Sequence, residues 1–246
     1  MIEYQYQQDD ENLEIVPKEV WTNPMVVFHG TTTYHSENIE KNGFIVNRPP
    51  YNIDHVEILV GILKSNDFSK FDHKKGFLNW TTAFGIEHYL DAIHKKEFRL
   101  SFSSLSSACV AFTTSIAKGG QAFRDIREAK QIFDFAINSD NSLENKIPNE
   151  VLLLFNELEK IEISQGVVYA IKLSDDLNGV ECDINNVIYS SVSIPKELII
   201  GKVLIPDSPD VLQIAQTKIN DKIKSKLHTN GGLAIRIWRN QNKYVQ

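Results

Sequence analysis

The chain has 246 residues, 42 % of them apolar and 10 % aromatic, enough to fill a core and too many for a disordered chain. Its net charge of −6 removes any broad electrostatic reason to coat nucleic acid or an anionic membrane, while leaving room for a local basic groove. The polar, acidic start lacks the basic and apolar stretches of a secretory signal, and no apolar run reaches the length of a membrane span.

Residues 1–20 read as a polar lead-in. Met25, Val26, Val27 and Phe28 form an apolar run that ends at His29-Gly30, which predicts a buried strand reaching a turn. Ser36 as N-cap, Glu37 in the first turn and Gly43 as a stop predict a short helix. Residues 47–97, with Pro49-Pro50 and scattered histidines, fit an insertion or lid beside a site, or equally a small helical subdomain, with short helices near 58–63 and 86–93. A strand follows over 98–103. Ser106 and Ser107 then cap a helix that carries Ala108, Ala111, Phe112, Ser115 and Ile116 and stops at Gly119-Gly120.

A second helix continues over 121–137, and 138–146 is a polar loop. Pro148 opens a helix with Val151, Leu154, Phe155 and Leu158 on one face. Strands are expected at 166–173, 187–189, 198–200 and 203–205. Ser208-Pro209-Asp210 opens a last helix with Leu212, Ala215, Ile219 and Ile223 inward, and 233–238 is a last strand. Helices fall mainly in the first half and strands in the second, so the class is α+β with a mixed or mostly antiparallel sheet. The expected organisation is a single domain, 1–246, ending in a basic helix and strand over 208–246.

His29-Gly30-Thr31 is weak alone; its surroundings carry it. It closes a buried strand, and a short helix ending in Asn42-Gly43-Phe44 follows. Ser101-Phe102-Ser103-Ser104 comes some sixty residues later, then a helix with Phe112, then Gly119-Gly120. The strand at 166–173 and a late strand near Asn186, with Ile194-Pro195 and Ile199 behind it, complete the order. Over roughly residues 25–205 this order resembles the ADP-ribosyltransferase superfamily, in the branch whose first motif is His-Gly-Thr, with the poly-ADP-ribose polymerases, the RNA 2′-phosphotransferases and many bacterial toxins.

The resemblance implies a split mixed/antiparallel β-sheet core with flanking helices, and NAD⁺ as substrate. It implies that His29 bonds a ribose hydroxyl, that the Gly30 backbone holds the nicotinamide carboxamide, and that Thr31 supports the turn. The second motif usually supplies a tyrosine that stacks on nicotinamide; Ser101 and Phe102 stand there, with Phe112 further on, and phenylalanine offers the ring face without the hydroxyl. Ser103 and Ser104 resemble the serine motif of the arginine-type branch. Arg48 is a candidate for the pyrophosphate. The third motif departs: where the family has a glutamate that stabilises an oxocarbenium-like transition state, this chain has Asn185 and Asn186. Losing such a group costs about 3 to 4 kcal/mol. Glu181 and Asp183 are the candidate replacements, and Glu197 is also close in sequence.

Plainer readings stand beside these. His29 is otherwise a strand-end histidine bonded to a turn, Phe102 and Phe112 core residues, Ser101 to Ser107 a strand end and helix cap, Arg48 a solvated cation. His73, His88 and His94 are too loosely spaced for a metal site, so no metal is expected. Cys109 and Cys182 lack metal-like spacing, which fits reduced thiols in a cytoplasmic protein. From Lys218 onward seven basic residues face one acid, Asp221, with Trp238 and Tyr244 interleaved; this is a solvated face and tail, or a surface for RNA or DNA.

The resemblance therefore implies an enzyme that transfers ADP-ribose from NAD⁺ to a macromolecule, nucleic acid or protein. Stand-alone relatives of this size are often toxins of toxin–antitoxin or phage-defence modules, which implies a neutralising antitoxin protein as partner, and no membrane. Two alternatives remain open: a catalytically inactive binding module of the same fold, and an NAD⁺-dependent RNA 2′-phosphotransferase.

Overall fold

The computed structural model describes residues 1–9, 11–12, 14–23, 25–73, 80–114, 118–174, 177–182, 188–208 and 211. The chain separates into two compact units. Met1–Val46, Arg99–Lys118 and Ser164–Gln246 make the first; Asn47–Phe98 and Gly119–Ile163 make the second. The expected α+β class holds.

In the first unit, strands β1 (Ile2–Tyr4), β2 (Val26–Thr32), β3 (Leu100–Phe102), β4 (Gly166–Lys172), β5 (Val180–Cys182), β6 (Ile188–Ser190) and β7 (Ile199–Leu204) form two sheets. The larger is mixed, in the order β1-β7-β4-β2, with β1 parallel to β7 and the other pairs antiparallel. The smaller is antiparallel, in the order β3-β6-β5. A reciprocal backbone bridge between Phe28 and Ser103, with N···O distances of 2.7 and 2.9 Å, ties β2 to the chain leaving β3.

The sequence of β4 explains its place. Val167, Tyr169 and Ile171 enter one apolar cluster with Val27, Phe44 and Phe102. Val168 and Ala170 enter another with Phe28, Val110 and Val203. A strand covered on both faces reads as a continuous apolar run. The lead-in is more structured than its polarity implies: β1 is an edge strand, and Ile15, Val16 and Val20 are buried around the short helix α1 (Lys18–Trp21).

Helix α2 (Ser36–Asn42) follows β2 after one 3₁₀ turn at Thr33–His35. It stops where expected. Gly43 has φ +77°, and a Cβ there would stand 2.2 Å from the Ile194 carbonyl oxygen, so only glycine fits. Ser36 is not its cap: His35 holds that position and Ser36 is already helical. The helix expected after Ser106 is also different, being a 3₁₀ helix over Ser107–Phe112. The Ser106 hydroxyl does not cap it but lies 2.5 Å from the buried Glu14 carboxylate and accepts the Ile15 N–H.

Of the two expectations for residues 47–97, the described residues favour the helical subdomain. With 119–163 they build helices α3 (Ile53–Leu63), α4 (Thr82–His94), α5 (Gln121–Ser139) and α6 (Asn149–Ile163). Helix α3 packs on α4 and α6, and α5 packs on the same two, closing a ring. Their shared core includes Leu59, Leu63, Phe68, Phe123, Ile126, Phe133, Leu154 and Leu158, all essentially inaccessible. The loop expected over 138–146 contains a 3₁₀ helix at Asn141–Lys146. The strands expected at 198–200 and 203–205 are one strand, β7. The expected helix after Ser208, the strand at 233–238 and the basic stretch from Lys218 lie outside the described residues, apart from Val211.

Candidate functional site

His29 projects from the middle of β2 on the face shared with Val27 and Tyr169, where β2 meets the β3 segment. Its Nδ1 lies 2.9 Å from the Ser101 carbonyl oxygen. A carbonyl only accepts, so Nδ1 carries the hydrogen. Burial lowers the His29 pKa against the opposing effect of the Ser101 bond, which keeps the ring neutral. The lone pair is then on Nε2, and this nitrogen can accept a hydrogen bond from a ligand hydroxyl.

Aromatic side chains wall the ring. Phe44 meets it edge-on with centroids 4.8 Å apart, and Phe102 does so at 5.7 Å. Phe44 also packs on Phe102 at 6.1 Å and on Tyr169 at 5.7 Å. His35, at the entry to α2, feels His29 electrostatically; burial first, and that proximity second, push its pKa down to about 4.

Gly30 and Thr31 follow on β2, both buried; the strand runs on to Thr32, so in place of the turn expected at His29-Gly30, with Thr31 supporting it, there is continuous strand paired with Val168 and Val167. The need for glycine at 30 has a visible cause: an added Cβ would lie 2.1 Å from the Cys109 carbonyl oxygen in the 3₁₀ helix. Cys109 itself is buried, and burial pushes its thiol pKa up, so it is an inert core thiol and not a nucleophile.

The other sequence candidates are placed as follows. Ser101 contributes its backbone oxygen to His29 and exposes its side chain. Phe102 is buried, its ring committed to His29 and Phe44. Phe112 is 42 % exposed at the end of the 3₁₀ helix. Glu181 is on β5, with β6 between it and β3, roughly 10 Å from Ser101 at two strand spacings. Its carboxylate is ion-paired with Arg99 Nη1 at 2.8 Å. Arg48 is exposed and belongs to the helical unit. Asp183, Asn185 and Asn186 lie outside the described residues.

Sequence reasoning missed Phe44 and Tyr169 at this site. The signal for Phe44 was an apolar residue straight after the helix-stopping Gly43; Tyr169 was signalled only by being the one polar-tipped side chain inside the apolar run of β4. An open depression of about 310 Å³ lined by Met25, Lys172, Leu173, Ser174 and Leu198 contains none of these residues. Among the described residues there is no cluster of His, Cys, Asp and Glu that could hold a metal ion, and no helix long and apolar enough to cross a membrane. Comparison with protein-family models, with curated proteins and with solved structures gave no match.

Proposed function

We propose that this protein is an NAD⁺-dependent ADP-ribosyltransferase whose nicotinamide-side pocket is built on His29 and Gly30. The observation that carries the reading is the placement of His29: its Nδ1 lies 2.9 Å from the Ser101 carbonyl oxygen, where β2 is bridged to the β3 segment, which leaves Nε2 to accept from a ribose hydroxyl. The short helix after β2, stopped by Gly43, and the strand that carries Ser101 and Phe102 support the reading.

The chemistry asks little more of the side chains. In NAD⁺ the bond from the ribose C1′ to the nicotinamide nitrogen is already activated by the positive ring. It breaks with its electron pair going to that nitrogen, so nicotinamide leaves neutral. A nucleophilic atom of a nucleic acid or protein bonds C1′ and gives up its proton. The protein holds the nicotinamide and ribose, limits water, and brings the acceptor to the exposed face. On the same resemblance the activity is that of a toxin, held in check by a neutralising partner protein.

One observation favours a second reading. Glu181, on the strand of the small sheet farther from β3, is committed to an ion pair with Arg99. A protein that holds NAD⁺ while its candidate acid stays committed to a cation is a binding module with little turnover.

The test is incubation with NAD⁺ labelled on its adenylate half and a bacterial lysate, with His29→Ala in parallel and thermal denaturation as a folding control. The transferase reading expects label in macromolecules with the wild type and at least a hundredfold less with a folded His29→Ala, on the order of one lost positioning contact in the transition state. Nuclease or protease digestion then names the acceptor. Saturable NAD⁺ binding by calorimetry without label transfer selects the binding module. Equal transfer by both proteins sinks the placement of the site at His29.

A further inference from the structure

A polar chain crosses the same face of the larger sheet as His29 and ends on α2. Tyr169 is the cross-strand partner of His29, and Lys202 is the partner of Tyr169 on the other side. The Tyr169 side chain is fully buried. Its hydroxyl lies 2.8 Å from Ser36 Oγ and 3.2 Å from Glu40 Oε1. Lys202 Nζ donates to the same Glu40 oxygen at 2.8 Å and lies 3.8 Å from the Glu3 carboxylate. Two side chains of α2 therefore meet the phenol, and Lys202 on β7 ties one of them, Glu40, back to the sheet.

This arrangement is costly for a core. Burial pushes the Tyr169 phenol pKa up, so it stays protonated and must be hydrogen-bonded. A partly buried ion pair adds little net stability over apolar packing; its best-attested use is to fix geometry. Ser36 also has an ordinary alternative use, as a helix cap, and is engaged here by Tyr169 instead.

The geometry that this network fixes leads to His29. The Nδ1 bond to Ser101 holds one atom of the imidazole and leaves its tilt to packing. Phe44 lies against the ring, and its backbone is fixed by a reciprocal bridge to Ile194 at 2.9 and 2.8 Å. The ring of Phe44 rests edge-on against Tyr169. We propose that Tyr169, held through its hydroxyl by Ser36 and by Glu40, which Lys202 in turn anchors, is a positioning residue that sets the tilt of the His29 ring through Phe44 and so aims Nε2 at the ligand. This rests on the reading of His29 as the NAD⁺ ligand; the tilt itself does not depend on NAD⁺.

The test reads the His29 ring directly. Its imidazole ¹⁵N and ¹H resonances are assigned with His29→Ala and recorded for the wild type, Tyr169→Phe, Glu40→Ala and Glu40→Gln, with Glu37→Gln on the exposed side of α2 as a control. Tyr169→Phe removes only the hydroxyl and keeps the ring that packs on Phe44. Glu40→Gln keeps an oxygen that can accept from Tyr169. The expected result is displaced His29 ring resonances in Tyr169→Phe and Glu40→Ala, substantial recovery in Glu40→Gln, and wild-type resonances in Glu37→Gln. NAD⁺ binding by calorimetry should weaken by about fivefold in Tyr169→Phe, the scale of one hydrogen bond.

Unmoved His29 resonances in Tyr169→Phe, even with a lowered melting temperature, overturn the proposal and leave the network as a clamp on α2. If Glu40→Ala does not fold, Tyr169→Phe decides alone. If the wild type binds no NAD⁺, the functional reading fails, and the ring resonances still decide whether Tyr169 positions His29.

Discussion

A methyl group at position 30 would meet the Cys109 carbonyl oxygen at 2.1 Å and its carbon at 2.9 Å, and both are backbone atoms that cannot rotate away. Gly30→Ala therefore forces β2 and the 3₁₀ helix apart and is expected to destabilise the fold by about 1–3 kcal/mol, read as a lowered urea midpoint. An unchanged midpoint would mean that the 3₁₀ helix is not seated on β2. His35 gives the second prediction at this scale. Its pKa is lowered from 6.5 to about 4 in the folded chain, by burial first and His29 second. Between those values the unfolded chain binds a proton that the native residue refuses. This contribution is complete above pH 6.5, shrinks as pH falls through the window, and is gone below about 4. It amounts to roughly 3 kcal/mol at most, at 1.36 kcal/mol per unit. Urea denaturation of the wild type and His35→Gln at pH 7.5 and pH 4.5 checks it: the wild type should lose more stability on acidification. Equal losses would mean that His35 is not held neutral.

Elements were legible in proportion to how locally they are determined. β4 was read almost to its ends, because Val167 to Ile171 is apolar throughout, and α6 was read from Pro148 and its 3.6-residue stripe. The three-residue strands β1 and β5 owe their existence to β7 and β6 and leave no periodic trace. The 3₁₀ helix at Ser107–Phe112 was misread because Ser106 looks like a cap, whereas its hydroxyl is taken by Glu14, distant in sequence. Helix α4 was found only over 86–93, although Thr81 caps its start, the hydroxyl accepting the Phe84 N–H at 3.3 Å; a second cap comes from outside the helix. The buried Asp72 carboxylate accepts the N–H groups of Thr82 at 2.8 Å and Ala83 at 2.9 Å. A carboxylate there satisfies two orphan donors and suits the positive end of the helix. Asp72→Ala should cost about 1–2 kcal/mol and raise hydrogen exchange selectively in the first turns of α4. Unaltered exchange at Thr82 to Ile86 would show that the cap contributes nothing.

At the scale of the molecule, the candidate site was legible in two segments, around His29 and around Ser101-Phe102. His29-Gly30 stood out as an abrupt end to an apolar run, and Ser101 as a partner segment. Of the two rings that wall His29, Phe102 was named from sequence, whereas Phe44, with Tyr169 behind it, is brought there by strand register and by the chain direction after Gly43. The two units were hidden for a similar reason: the chain passes between them four times, so each is built from segments separated in sequence. Their cores do not share residues. The cluster containing Leu59, Phe123 and Leu154 is confined to α3–α6 and their connections, while those containing Phe28, Tyr169 and Val203 lie in the sheet unit. Leu154 is fully buried, and Leu154→Ala should cost about 2–5 kcal/mol. If each core supports its own unit, native-state hydrogen exchange in this variant rises across α3, α4, α5 and α6. The amides of β2, β4 and β7 keep their protection, and any NAD⁺ binding carried by His29 persists at the wild-type affinity. If protection falls equally in β4 and β7, the two units unfold as one cooperative body. The helical segments at 47–98 and 119–163 would then be part of what holds His29 in place.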